Sequence, residues 1–346
     1  MVEENIKNGN EVSVIASQYQ MEENGSISKE EKGIYKYKRG LTLYRIPFVF
    51  DGLSVLNNKI RKYKGLYKIL VEINPDIIFV HGLQFVDIKE VVKYKKRHKN
   101  INVYADNHAS IHNSAKNLFS KYILHRLIYK HFIQQSKDSF IKIFNVTYDC
   151  ETFIKENYKI HEKLHLLPLC GKFIDNSKIK EIRKEIRNKH NIDENQNLYI
   201  HAGKLDKAKK TIETMKMFNE ENENSILFIV GSVSSEIEKE FHEILLTSNN
   251  IKYLGWKSSE ELINYLCATD IFIQIGSQSI LFQQAISCEN MIILDKNINT
   301  DFLVSNNNGI TIKNVEELRV IFKEINENKI GIEEYKKIPM NLQKQD

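Results

Sequence analysis

The 346-residue chain contains no run approaching the ~20 consecutive apolar residues that a membrane span requires. With 42% hydrophobic and 27% charged residues, the composition is that of a globular protein. Cysteine is scarce: Cys150, Cys170, Cys267 and Cys288 are far apart and form no C-x-x-C pair. That spacing argues against a disulfide framework and a zinc site, and the four read as reduced thiols. No basic start followed by an apolar stretch is present, since MVEENIKNGNEV is acidic and then polar. A secretory leader is therefore not expected, and the expected location is the cytoplasm. Internal repeats, low-complexity tracts and a D-x-D metal motif are also missing, although Lys, Asn and Ile are abundant throughout.

What is present suits two domains of ordinary size, because a chain this long exceeds one comfortable core. Charge is divided between them: residues 1–170 hold 27 basic and 18 acidic residues, residues 171–346 hold 23 and 27. A basic first half can face an anionic membrane surface, a nucleic acid or a phosphorylated substrate, or can simply carry solvated lysines. No aromatic-rich recognition motif or zinc module accompanies the charge, so no nucleic-acid partner is expected.

Apolar runs of strand length alternate with helical patterns, the signature of parallel sheets with crossover helices. In the first half the strands are EVSVIAS (11–17), DIIFVHG (76–82), INVYAD (101–106), IKIFNVT (141–147) and LHLLPL (164–169). Helical patterns cover 53–72, 86–98, 113–136 and 149–157, and residues 18–50 look like a hairpin insertion turning at Gly40. The second half places strands at 197–203, 225–231, 250–256, 270–276, 290–295 and 309–313, with helices between them. Polar LCGKFIDNSK breaks the rhythm, which predicts an N-terminal domain over 1–170, a C-terminal domain over 171–330 and a helical tail over 331–346.

Three segments can carry chemistry. In DIFIQIGSQSILFQQAIS a buried strand turns through Gly276, Ser277, Gln278 and Ser279 into a helix, where free backbone N–H groups can meet an anion. An ordinary capped turn is the plainer alternative. In YIHAGKLDKAKK a strand ends at Gly203 and is followed by Lys204, Lys207, Lys209 and Lys210. Cations at a helix start oppose its dipole unless an anion joins them, and a diphosphate would supply that anion. A solvated lysine cluster is the other reading. Both segments lie at carboxyl ends of strands, where open α/β sheets bind ligands. The third, NVYADNHASIHNS, delivers Asp106, Asn107 and His108 to the edge of the N-terminal sheet, while His108 with His112 lacks the further ligands of a metal site.

In this order these segments resemble family 4 (group 1) of the retaining GT-B glycosyltransferases. HAGKLDKAKK is similar to the family's G-R/K-L…K segment, and IGSQSILFQQAISCENMII to its E-x7-E segment and following strand. NGNEVSVIAS is similar to G-H-E-V-x-V-I-A, and LHLLPLCGKF to the domain-joining L-P-x-G. The resemblance implies an α/β GT-B fold: two Rossmann-like domains whose parallel sheets face a central cleft. It also implies a strand and glycine-rich turn ahead of VEENIKN, so the first N-terminal strand reads as missing. By resemblance, Lys204 and Lys209 hold the donor diphosphate, His108 reaches the transferred sugar, and Trp256 or Lys257 lies beside the base. Gln284 stands where the second glutamate would hold the ribose, and Gly276 where the first would stand. His201 and Ala202 replace small residues and are expected to crowd the site.

The activity so implied is transfer of a sugar from a nucleotide-diphosphate donor to a glycan or lipid-linked acceptor, in cell-surface polysaccharide synthesis, without a metal or other cofactor. The apolar, basic helix 113–136 can rest peripherally on a membrane or lie buried with a basic fringe. A truncated, non-catalytic nucleotide-sugar-binding or scaffold protein is the alternative reading. A nucleotide-sugar epimerase of the same fold is disfavoured, because no carboxylate is placed for acid/base work.

Overall fold

The computed structural model describes residues 2–336, apart from 22–26, 38–39, 51–58, 112, 116, 223 and 277. The start of the helix expected over 53–72, His112, Ser277 and the tail beyond 336 therefore lie outside the described residues. The chain forms two compact units, Met1–Pro168 and Leu169–Asp346.

In the first unit, the helix Val2–Lys7 leads into β1 (Val12–Ser17). The insertion is two hairpins: β2 (Tyr19–Met21) with β3 (Ile27–Lys29), then β4 (Gly33–Tyr37) with β5 (Leu41–Ile46). β5 also lies parallel to β1, giving the order β1-β5-β4. A separate all-parallel sheet holds β6 (Ile77–His81), β7 (Asn102–Asn107), β8 (Lys142–Asn145) and β9 (Leu164–Leu166), in that order. Val80, Val103, Ala105 and Ile143 are buried in this sheet against Leu70, Val91, Ile133 and Phe153 of its helices. The pattern over 113–136 becomes a π-type helix, Phe119–Tyr129, continuing as the α-helix Lys130–Ser136.

The second unit is one six-stranded parallel sheet: β10 (Leu198–Ala202), β11 (Ile226–Val230), β12 (Ile251–Gly255), β13 (Ile271–Gln274), β14 (Met291–Asp295) and β15 (Gly309–Ile312). Their spatial order is β12-β11-β10-β13-β14-β15. Every residue of β10, β11 and β13 is buried, which is why these strands read as unbroken apolar runs rather than alternating ones. Two apolar layers sandwich the sheet, one around Phe228 and Phe272 and the other around Phe218, Phe241 and Phe322. Counted from β10, the order is the 3-2-1-4-5-6 of doubly wound dinucleotide folds. The order reverses between β10 and β13, and a crevice opens at such a switch point beyond the carboxyl ends of the strands.

Candidate functional site

Four consecutive strands end at this edge in glycines with positive φ: Gly203 (118°), Gly231 (143°), Gly255 (71°) and Gly276 (102°). At two of them nothing larger fits. A Cβ on Gly231 would fall 1.7 Å from the Gly203 carbonyl oxygen, and one on Gly276 would fall 1.8 Å from that of Ala208. The turns after β10, β11 and β13 are thus pressed backbone to backbone. The lysine segment and the Gly276 turn, 66 or more residues apart in parts of the chain that share only the sheet edge, form one wall of the switch point.

The lysines separate sharply. Lys204 is 74% exposed in its side chain and pairs loosely with Asp206 at 3.8 Å. Lys209 is only 7% exposed. Asp206 caps the short turn Lys207–Lys209 by accepting from the Lys209 amide at 3.0 Å, which turns the Lys209 side chain back toward Gly203. Its Nζ lies 3.5 Å from the position a Gly203 Cβ would take. Among the described residues the ammonium has no hydrogen-bond or ion-pair partner. Burial lowers its pKa, and the nearby Asp206 charge opposes that shift. A buried cation without a partner is costly, and an anion entering at Gly203 would offset the cost.

Around the Gly276 turn the structure departs from the simplest anion-site picture. The Gly276 amide already donates to the carboxylate of Asp295, at the end of β14. The helix that follows is Leu281–Ser287, with Ile280 as its uncapped first flank. Ser279 Oγ accepts from the Leu281 amide at 3.3 Å, while Gln278 is exposed. Ser277 lies outside the described residues. Gln284 is buried and fully engaged: its Oε1 accepts from Lys172 N–H at 2.7 Å, and its Nε2 donates to Lys172 O at 3.2 Å and to Cys288 Sγ at 3.5 Å. It fastens the polar segment after Pro168 to this helix. Gly171 is required there, because a Cβ would meet Ser287 Oγ at 2.4 Å and Gln284 Cα at 2.8 Å.

His201 does not crowd the crevice as expected. It is fully buried in β10, with Nδ1 3.0 Å from the Ile273 carbonyl and Nε2 3.1 Å from Thr211 Oγ1. The carbonyl can only accept, so Nδ1 carries the proton, and burial pushes the ring pKa down to about 4. Trp256, 54% exposed, and half-buried Lys257 follow β12, the edge strand two places from β10.

In the first unit, β7 carries Asp106 and Asn107 to the carboxyl edge, with His108 just beyond. Buried Asn107 spends its amide on Ala109 O, Asn145 Oδ1 and Cys150 O, which makes it a structural residue. Asp106 Oδ2 lies 3.1 Å from His108 Nε2 and 2.7 Å from His81 Nδ1, and Oδ1 accepts from Gly82 N–H at 2.7 Å. Burial would raise the Asp106 carboxyl, but the bonds from His108 and His81 outweigh it and hold the group well below the usual carboxylate range. The Asp106 hydrogen bond raises the His81 pKa against partial burial. Sequence reading placed FVHG at a strand end yet passed over His81, and it passed over Gly231 and Asp295 as well. The only local signal for each is its place at the end of a strand.

Residues 182–338 match the family described as Glycosyl transferases group 1. No curated protein sequence matches the chain. Among solved structures, the sucrose-phosphate synthase of Thermosynechococcus elongatus superposes with a TM-score of 0.65 at 13% identity, over 97% of this chain and 84% of that one. WaaG, a glycosyltransferase involved in lipopolysaccharide biosynthesis, gives 0.56 at 17% identity, over 99% and 90%. Anabaena HepE in complex with UDP and glucose gives 0.54 at 14%, over 88% and 80%. The fold is the α/β GT-B fold of these glycosyltransferases, as the sequence motifs implied.

Proposed function

We propose that this GT-B chain, whose residues 182–338 match the group 1 glycosyltransferases, is a retaining transferase that moves a sugar from a nucleotide diphosphate to a glycan or lipid-linked acceptor in cell-surface polysaccharide synthesis. The observation that carries the reading is Lys209, a largely buried lysine whose ammonium has no hydrogen-bond or ion-pair partner among the described residues, at the switch point of a doubly wound sheet. A diphosphate seated against Gly203 would supply its counter-charge, with Lys204 adding a second, solvent-side cation. Electrostatic stabilisation fixed where negative charge develops on the leaving group is usually the largest single catalytic effect, one donor typically lowering the barrier by ~3 kcal/mol. Ser277, Gln278 and Ser279 are the proposed backbone and hydroxyl contacts, and Trp256 and Lys257 flank the base. Anabaena HepE, of the same fold, is described with UDP, UDP-glucose and glucose. His108 is the proposed contact to the transferred sugar.

A lipid-linked acceptor is favoured by the helix Phe119–Tyr129, where Phe119, Tyr122, Ile123 and Leu127 are exposed. Lys121 and Arg126 lie over the Tyr122 ring, so cations fringe the apolar surface as an anionic membrane would require. Among the described residues no helix is long and apolar enough to cross a membrane. Two observations favour the second reading, a non-catalytic nucleotide-sugar-binding or scaffold protein: Gln284 is occupied by Lys172, and no side chain fits at Gly276. Calorimetry with nucleoside diphosphates, followed by donor-sugar release and transfer assays, separates them. The enzyme reading expects binding with turnover, and a loss of turnover but not of binding in His108→Ala. Binding with no turnover from any donor assigns the second reading, and absence of binding removes both.

A further inference from the structure

We propose that His81, Asp106 and His108 form a binding site for one divalent transition-metal ion of the zinc type, at the carboxyl edge of the parallel sheet in the first unit. His81 ends β6, Asp106 lies on neighbouring β7, and the two are register partners. His108 follows two residues after Asp106. The side chains of all three converge, each offering a donor atom within 4.8 Å of the other two. The His81 and His108 rings meet edge to face, with centroids 4.8 Å apart.

Two imidazole nitrogens and one carboxylate oxygen are a donor set suited to zinc and its first-row neighbours rather than to magnesium or calcium, which take oxygen ligands. Metal–ligand bonds of about 2.0–2.2 Å put tetrahedral donors about 3.4 Å apart. The separations from Asp106 Oδ2, 2.7 and 3.1 Å, open toward this value and the His81–His108 donor separation, at most 4.8 Å, closes toward it by side-chain rotation. The carboxylate is already oriented from behind, since Gly82 N–H holds Oδ1 and leaves Oδ2 to face the rings. Asp106 is buried, whereas the His81 side chain is 75% exposed, so the open side of the cluster faces solvent. Water or a substrate oxygen can complete the coordination there. Local spacing hides this set, because 25 residues separate His81 from Asp106.

The test is a binding measurement on the full chain and uses no transfer assay, so its failure is distinct from failure of the sugar-transfer reading. Metal-stripped protein is titrated calorimetrically with Zn2+, and Co2+ is added separately as an optical probe of ligation. We expect one ion per chain, a cobalt spectrum showing nitrogen ligation, and binding weakened at least about tenfold in His81→Ala and in Asp106→Asn. Truncating exposed His81 leaves the core intact, which a thermal melt verifies, so that variant decides if Asp106→Asn folds poorly. His161→Ala, an exposed histidine elsewhere, should bind as the unaltered chain does. No saturable Zn2+ binding, or unchanged affinity in His81→Ala, overturns the proposal.

Discussion

Gly276 and Ala208 touch backbone to backbone: a Cβ on the glycine would lie 1.8 Å from the alanine carbonyl oxygen. The turns after β13 and β10 are thereby locked together, and the position where the group 1 resemblance expects a glutamate cannot hold one. Gly276→Ala adds this clash to a φ of 102° that side chains rarely adopt. It should cost about 2–4 kcal/mol of stability, read by urea unfolding. A loss below about 0.5 kcal/mol, the level of an ordinary surface change, would show that the two turns are not in contact.

Lys209→Met should move stability and binding in opposite directions. Replacing a largely buried lysine, unpaired among the described residues, by an apolar chain of similar length removes a desolvation cost, so the melting temperature should hold or rise. Affinity for a nucleoside diphosphate should fall about ten- to a hundredfold, the worth of one charge-assisted contact. A lysine that merely supports the fold would give the reverse: lower stability with unchanged binding.

Gln284→Glu restores the residue expected by family resemblance and should nevertheless harm the protein. The Gln284 amide gives Nε2–H to Lys172 O and takes Lys172 N–H on Oε1. A carboxylate keeps the second bond but turns an oxygen toward a carbonyl. The expected loss is about 0.5–1.5 kcal/mol, from losing one hydrogen bond of a part-buried pair. Differential scanning calorimetry would read it as an earlier transition of the second unit, and an unaltered transition would contradict the Lys172 pairing.

Acid should loosen the second unit through His201. Its folded pKa is pushed down to about 4, so the unfolded chain takes up a proton that the folded one refuses. Stability from this group is full above an unfolded pKa of about 6.5 and is lost as pH falls toward 4, by about 3 kcal/mol in all. His201→Gln cannot titrate and should flatten the unfolding free energy over that window. An equally steep acid limb in the variant would place its origin in another group.

The strands show where local sequence suffices. LYIHA, ILFIV and IFIQ are buried on both faces, so each reads as a continuous apolar run, and the glycines that follow mark sharp exits from the sheet. The irregular region 18–50 was legible as hairpin structure, but its pairing was not. The parallel partnership of β5 with β1 rests on contacts 29 residues apart, for which no periodicity exists.

By itself, then, the amino-acid sequence determined the alternation of strands and helices and the two-part α/β architecture. It also determined the glycine and lysine turns at strand ends, because apolar periodicity and backbone permissiveness act locally. Tertiary structure alone decided that Lys209 is buried and Lys204 exposed, that Gln284 grips Lys172, that His201 points into the core, and that His81 meets Asp106 and His108. Those outcomes depend on which turns the sheet order brings side by side, and electrostatic cost is set by the surroundings a side chain meets, whatever its place in the chain.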